Sequence, residues 1–279
     1  MISLFSRSHA APAPARASTG ASRLAYLLRP PTLIALLALA YLLALVIAPP
    51  EALTHHDTGA KYLQVRNLRI TPGGLDYSIN YPARPLDPGL DFVPFRERYY
   101  YVDGQDRIYL QWPIFLALMT RIPWKVMGFW GLYVVPFLAG LGACWATYLL
   151  ARSVGVPRRL SRLSILLLGL ATPLAIYALL FFEHTLSAML VALSLVFAAY
   201  GVTALSNGQV QAEHSAGWWK RLRAWLGTPV GGMAASGALL SLAVYFRSDL
   251  YIMATVAGGL YALLALRSGA WRRLFFTWA

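Results

Sequence analysis

The sequence predicts an all-α integral membrane protein with about six transmembrane helices and a mixed α/β loop after the first of them. Three observations predict it. Of 279 residues, 58% are hydrophobic and 13% charged, against about 45–50% and about 25% in a soluble domain. The apolar excess sits in charge-free blocks of 17 or more residues, the length that crosses a hydrocarbon core of ~30 Å. The arginines and lysines form small clusters between those blocks, the pattern of loops that stay cytoplasmic. That spread also argues against a nucleic-acid partner despite a net charge of +13, since the bases share no single face or tail.

Residues 1–29 are rich in Ala, Pro, Ser and Arg and hold no acid, which predicts a disordered basic tail. The first apolar run, Pro31–Ala48, makes a helix of ~27 Å. A cleaved signal peptide fits it less well: the basic region before it is long, and Pro49 and Pro50 stand where small residues would be needed. The first loop then extends over 49–125, and its polar part, 49–111, carries eight of the eleven acids.

Within that loop, Thr54 to Asp57 fits a capping box, and the following residues suggest an interfacial helix of imperfect periodicity. The segment "RYYYVDGQDRIYLQ" (Arg98–Gln111) has β-formers around Asp103–Gly104 and reads as a hairpin. The segment "WPIFLALMTRIPW" (Trp112–Trp124) is apolar but too short to span, and its terminal tryptophans suggest a second interfacial helix.

Five further runs are expected as spans near Val126–Leu150, Leu163–Phe182, Thr185–Leu205, Val230–Phe246 and Leu250–Leu266. Pro136 and Pro173 read as packing and kink residues. "GWWKRLRAWLG" (Gly217–Gly227) reads as an interfacial helix, and Leu274–Ala279 as the start of another span that is cut off. Cys144, the only cysteine, lies inside a run, which excludes an intrachain disulfide and a thiolate metal site. No repeat of 20–50 residues is visible.

With the N-terminal tail in the cytoplasm, three basic clusters fall inside: Arg152, Arg158, Arg159 and Arg162; Lys220, Arg221 and Arg223; and Arg267, Arg272 and Arg273. The first loop falls outside. The expected location is therefore a cell inner membrane, crossed several times.

The chemistry lies at the span ends. Glu183–His184 joins the third and fourth spans, Arg247–Ser248–Asp249 joins the fifth and sixth, and the first span leads to His55, His56 and Asp57. Topology thus places carboxylates, imidazoles and a guanidinium on one side of the membrane. Each group also has a plainer reading. Asp57 is the N3 member of a cap. Glu183–His184 is a solvated turn. Arg247 is a snorkelling anchor, with Ser248 and Asp249 capping the next helix. A divalent metal on His55, His56, Asp57 and His184 is disfavoured, because neighbouring histidines on a helix point ~100° apart and chelate poorly together.

The stretches "HDTGAKYLQVRNL", "DGQDRIYLQWPIFLAL", "GFWGLYVVPFLAGLGACWATYLLAR", "FFEHTLSAMLVALSLVFAAYG" and "LAVYFRSDLYIM" together resemble polytopic membrane glycosyltransferases of the GT-C class. That class holds protein mannosyltransferases and bacterial aminoarabinose transferases, and the resemblance covers about residues 31–266. It implies a GT-C-like fold and a sugar donor on a polyprenyl phosphate. The acceptor would be a glycan, lipid or protein on the outer face, and no cofactor is implied. It assigns Asp57, the acid of the first loop, as the base. The planar fork of Arg247 matches the oxygens of the donor phosphate, and His184, Glu183, His56 and Asp249 complete the substrate set. Members of the class are generally longer than this chain. A transporter or flippase subunit and a non-catalytic membrane scaffold are the competing expectations; transporters place broken helices and polar sites near mid-bilayer.

Overall fold

The computed structural model describes residues 28–48, 56–93, 95, 99–206, 222 and 224–267. The basic tail, Thr54, His55, most of 217–227 and Leu274–Ala279 lie outside the described residues. The described chain is mostly helical. Four helical segments are long and apolar enough to cross a membrane, namely Pro30–Ile47, Phe115–Ser153, His184–Leu205 and Pro229–Phe246. That is the composition of a multi-pass membrane protein.

Helix α1 (Pro30–Ile47) starts on two prolines, which suit a helix start because their missing N–H groups have no intrahelical partner there. Leu33, Leu37, Tyr41 and Leu45 bury one face, and Leu36, Leu39, Leu42 and Leu43 expose the other. A helix that is apolar all round suits lipid on its unpacked side.

The loop then begins with helix α2 (His56–Asn67). Among its buried residues, Lys61, Gln64 and Val65, with Leu68 just past its end, fall at i, i+3, i+4 and i+7, the spacing of one helix face. Strands β1 (Arg69–Thr71) and β2 (Gly74–Asp76) form a short antiparallel hairpin that local sequence did not suggest. Strands β3 (Tyr100–Val102) and β4 (Ile108–Leu110) pair with Tyr101 opposite Tyr109. Asp103 closes their turn by accepting from the backbone N–H groups of Gln105 and Arg107, both at 2.9 Å. The loop has its own core of Ala60, Ile79, Leu90, Val93, Ile108 and Leu110.

Two expected spans differ in the structure. The run placed at Val126–Leu150 divides among helix α3 (Phe115–Met127), a 3₁₀ turn (Gly128–Tyr133) and helix α4 (Val134–Ser153). Gly128 causes the division by taking φ +58°, a value that ends a right-handed helix at little cost only for glycine. Gly131 is required as well, since a Cβ there would strike the Pro123 carbonyl.

The run placed at Leu163–Phe182 is also broken, into helix α5 (Arg158–Leu170) and helix α6 (Pro173–Ala178). Thr172, extended ahead of Pro173, accepts from the Leu174 N–H and caps the new start. The 13 residues of α5 reach only ~20 Å. The last run, expected near Leu250–Leu266, forms helix α9 (Tyr251–Arg267) after a 3₁₀ turn (Ser248–Leu250).

Helix α7 (His184–Ser206) and helix α8 (Pro229–Phe246) complete the bundle. α7 packs between α4 and α8, α4 packs on α5 and α1, and α9 packs chiefly on α8. A seam of Val65, Leu116, Ala117, Leu132, Tyr133 and Phe181 seats the loop on one end of this bundle.

Candidate functional site

That seam brings three chain segments together. Arg121 of α3 donates to the carbonyls of Val65 at 2.7 Å and Arg66 at 3.2 Å, in the last turn of α2. A cation at a helix C-terminus satisfies carbonyls that lack intrahelical donors. Gln64 donates to the Trp112 carbonyl at 2.7 Å. These bonds fix the rotation of α2 and aim Lys61 into the bundle.

The Lys61 residue is 2% exposed, and its Nζ lies 2.5 Å from Glu183 Oε2. The same ammonium sits 4.7 Å from the centre of the Phe182 ring, within cation–π reach. A buried lysine needs such partners, because an isolated charge away from water is very costly.

Glu183 occupies the connection between α6 and α7, and Thr185 pins that connection by donating to the Pro136 carbonyl at 3.0 Å. His184 stacks on Tyr177 with centroids 4.2 Å apart, and its edge meets Phe182 at 5.1 Å. Its Nδ1 is buried without a hydrogen-bond partner. Arg247 follows α8 directly, and Phe115 holds that end of α8 by ring contacts to Tyr245 and Phe246.

Arg247 spends Nε and Nη2 on Asp249, at 3.0 and 2.5 Å. That bond raises the Arg247 pKa and holds the Asp249 carboxyl below the usual carboxylate range. The fork that sequence reasoning offered to a phosphate is thus engaged by a neighbour. The charges of Arg247, Glu183, Lys61 and Asp249 all reach His184, so the turns Glu183–His184 and Arg247–Asp249 lie at the same end of the bundle.

Asp57 is half-buried in the first turn of α2, four residues before Lys61 and therefore on the same helix face. His56 opens α2. Among the described residues, no three His, Cys, Asp or Glu side chains are grouped so as to hold a metal.

Sequence reasoning missed Lys61. Its signal was present, because Lys61 falls on the stripe with Gln64, Val65 and Leu68. The chain matches no family model, no curated protein and no solved structure.

Proposed function

We propose that this chain is a membrane glycosyltransferase that takes a sugar from a polyprenyl-phosphate donor and transfers it to an acceptor on the outer face. The observation that carries this reading is the placement of two ion pairs, Lys61–Glu183 and Arg247–Asp249, near enough to His184 for their charges to act on it, with Asp57 on the same helix face as Lys61, at one end of an apolar bundle. A lipid-linked anion has a polar head and a long apolar tail, and the site and the bundle offer both environments.

In the proposed step the acceptor oxygen attacks the anomeric carbon, Asp57 takes the acceptor proton, and the anomeric carbon–phosphate oxygen bond breaks. The departing phosphate keeps the electron pair and is stabilised by Arg247. To bind there, it must compete with Asp249 for the guanidinium.

Asp57→Asn keeps the shape of the side chain and its ability to accept at a helix start. If Asp57 only stabilises α2, the change costs about 1 kcal/mol or less of stability. As a base, its loss lowers transfer by about 10²–10⁴-fold at matched expression. The assay is transfer from a polyprenyl-phosphate sugar in membranes, and wild-type turnover in the Asn variant removes the assignment.

The proposed orientation has six crossings, the third through α5 and α6 jointly, with the loop outside and the turn of Val154 inside. In a Cys144→Ala background, an impermeant thiol reagent is expected to label Leu86→Cys in intact cells and to spare Val154→Cys. The reverse pattern overturns the orientation.

The break at Ala171–Thr172 favours a second reading, a transporter, because discontinuous helices line many transport sites. Against it, two of the freed carbonyls are already used. Tyr41 donates to Gly169 at 2.6 Å and Thr172 to Leu168 at 2.7 Å.

A further inference from the structure

The end of the bundle away from the loop carries a charge imbalance that the proposed reaction does not use. Arg152, Arg158, Arg159 and Arg162 gather where α4 turns into α5. Every carboxylate among the described residues lies elsewhere, in the first loop or at Glu183 and Asp249, so among the described residues no carboxylate serves these four arginines as a counter-ion. Arg152 donates to the Val156 carbonyl at 2.5 Å, which closes the turn but neutralises nothing. The Nε of Arg162 is buried with no partner.

The start of α5 adds to the imbalance. Pro157 is its N-cap residue and supplies no side-chain acceptor, and no acid stands in the first turn. The first N–H groups of a helix carry the positive end of its dipole, so arginines there repel it. An anion from outside relieves both effects at once.

The neighbouring surface says which anion. Arg159 heads an exposed face of α5 that continues through Leu163, Leu167 and Leu170, with Leu160 beside it. These leucines follow at four, eight and eleven residues from Arg159, one helix face. A free phosphate gains nothing from such a stripe. A phospholipid would place its phosphate against Arg158, Arg159 and the α5 N-terminus and lay an acyl chain along the leucines.

We infer that the α4–α5 turn and the exposed face of α5 form a binding site for an anionic phospholipid. The inference is independent of the proposed transferase activity. The probe is phosphatidylglycerol, compared with phosphatidylcholine, in nanodiscs of mixed composition, read by lipid retention in native mass spectrometry.

Arg158 and Arg159 are both exposed, so R158Q/R159Q is expected to keep the elution volume and melting behaviour of the wild type in detergent. It should lose phosphatidylglycerol retention by roughly thirtyfold, from about one kcal/mol for each of the two basic residues near an anionic surface. R158K/R159K should keep most of it. Glycerol phosphate and inorganic phosphate at millimolar concentration should not displace the lipid. Equal retention in wild type and R158Q/R159Q overturns the proposal. Full displacement by inorganic phosphate also overturns it, since the site would then read phosphate alone. A Gln variant that misfolds is replaced by R159Q alone, judged by the same retention.

Discussion

At the scale of single residues, the pair Lys61–Glu183 is the informative one. Both side chains are largely buried, at 3% and 13% exposure, so each depends on the other for compensation. Removing one partner of a buried pair costs about 3–5 kcal/mol, because the remaining charge is stranded, whereas replacing both by apolar groups is often near neutral. Lys61→Met and Glu183→Gln are therefore each expected to lower the unfolding temperature in detergent, the Met variant more strongly. Lys61→Met combined with Glu183→Leu should recover most of the loss. Additive losses in that cycle would mean the two groups act separately. Arg247–Asp249 contrasts with this pair. The Asp249 side chain is 62% exposed, and an exposed pair contributes about 0–1 kcal/mol. Arg247→Lys should thus leave stability nearly unchanged, and a large loss of transfer in that variant would come from lost contact with a ligand.

At the scale of elements, the break between α5 and α6 decides how the bundle is tied together. The end of α5 leaves carbonyls without helical donors, and unsatisfied backbone groups are costly inside a membrane. Tyr41 on α1 supplies one donor from a residue 128 positions away. Its ring meets Phe137 of α4 edge-on at 6.1 Å, so the same side chain touches three helices. Tyr41→Phe keeps the ring and removes the bond. The expected loss is about 0.6 kcal/mol, up to ~1.7, the range for polar links between membrane helices. Thermal unfolding against Tyr41→Leu, which also removes the ring contact and should cost more, separates the two contributions.

At the scale of the whole molecule, the loop and the bundle rest on different forces. The bundle is apolar, while the loop is laced by carboxylates that accept backbone N–H groups. The Arg107 backbone N–H, with the Arg107 side chain, holds Asp103 below the usual carboxylate range. The Ser78 backbone N–H does the same for Asp76. A depressed folded-state pKa contributes stability that is full above the unfolded value of about 3.9 and is lost as pH falls through the folded value. The loop is therefore expected to hold constant protection from about pH 5 to neutrality and to open in the acid range below about 4, before the helices do. Hydrogen exchange of residues 69–110 against α4 and α7, at pH 3 and pH 7, checks this. Equal protection at both values would show that the loop rests on its apolar core instead.

The sequence by itself determined that the chain is a bundle of apolar helices with a polar first loop. Length and hydropathy are local properties, and α1, α7 and α8 needed nothing more. The hairpin at Tyr100–Leu110 was legible for the same reason, since its β-formers and turn residues are contiguous. Sequence also placed Asp57, Glu183, His184, Arg247 and Asp249 at helix ends, because charges avoid apolar interiors. Only the tertiary structure decided which of these groups face one another. Lys61 and Glu183 stand 122 residues apart, and no local pattern records a pairing at that distance. Tertiary packing also decided the break between α5 and α6. Thr172–Pro173 permits a kink anywhere it occurs, but a full interruption survives only where a donor such as Tyr41 stands opposite the freed carbonyls.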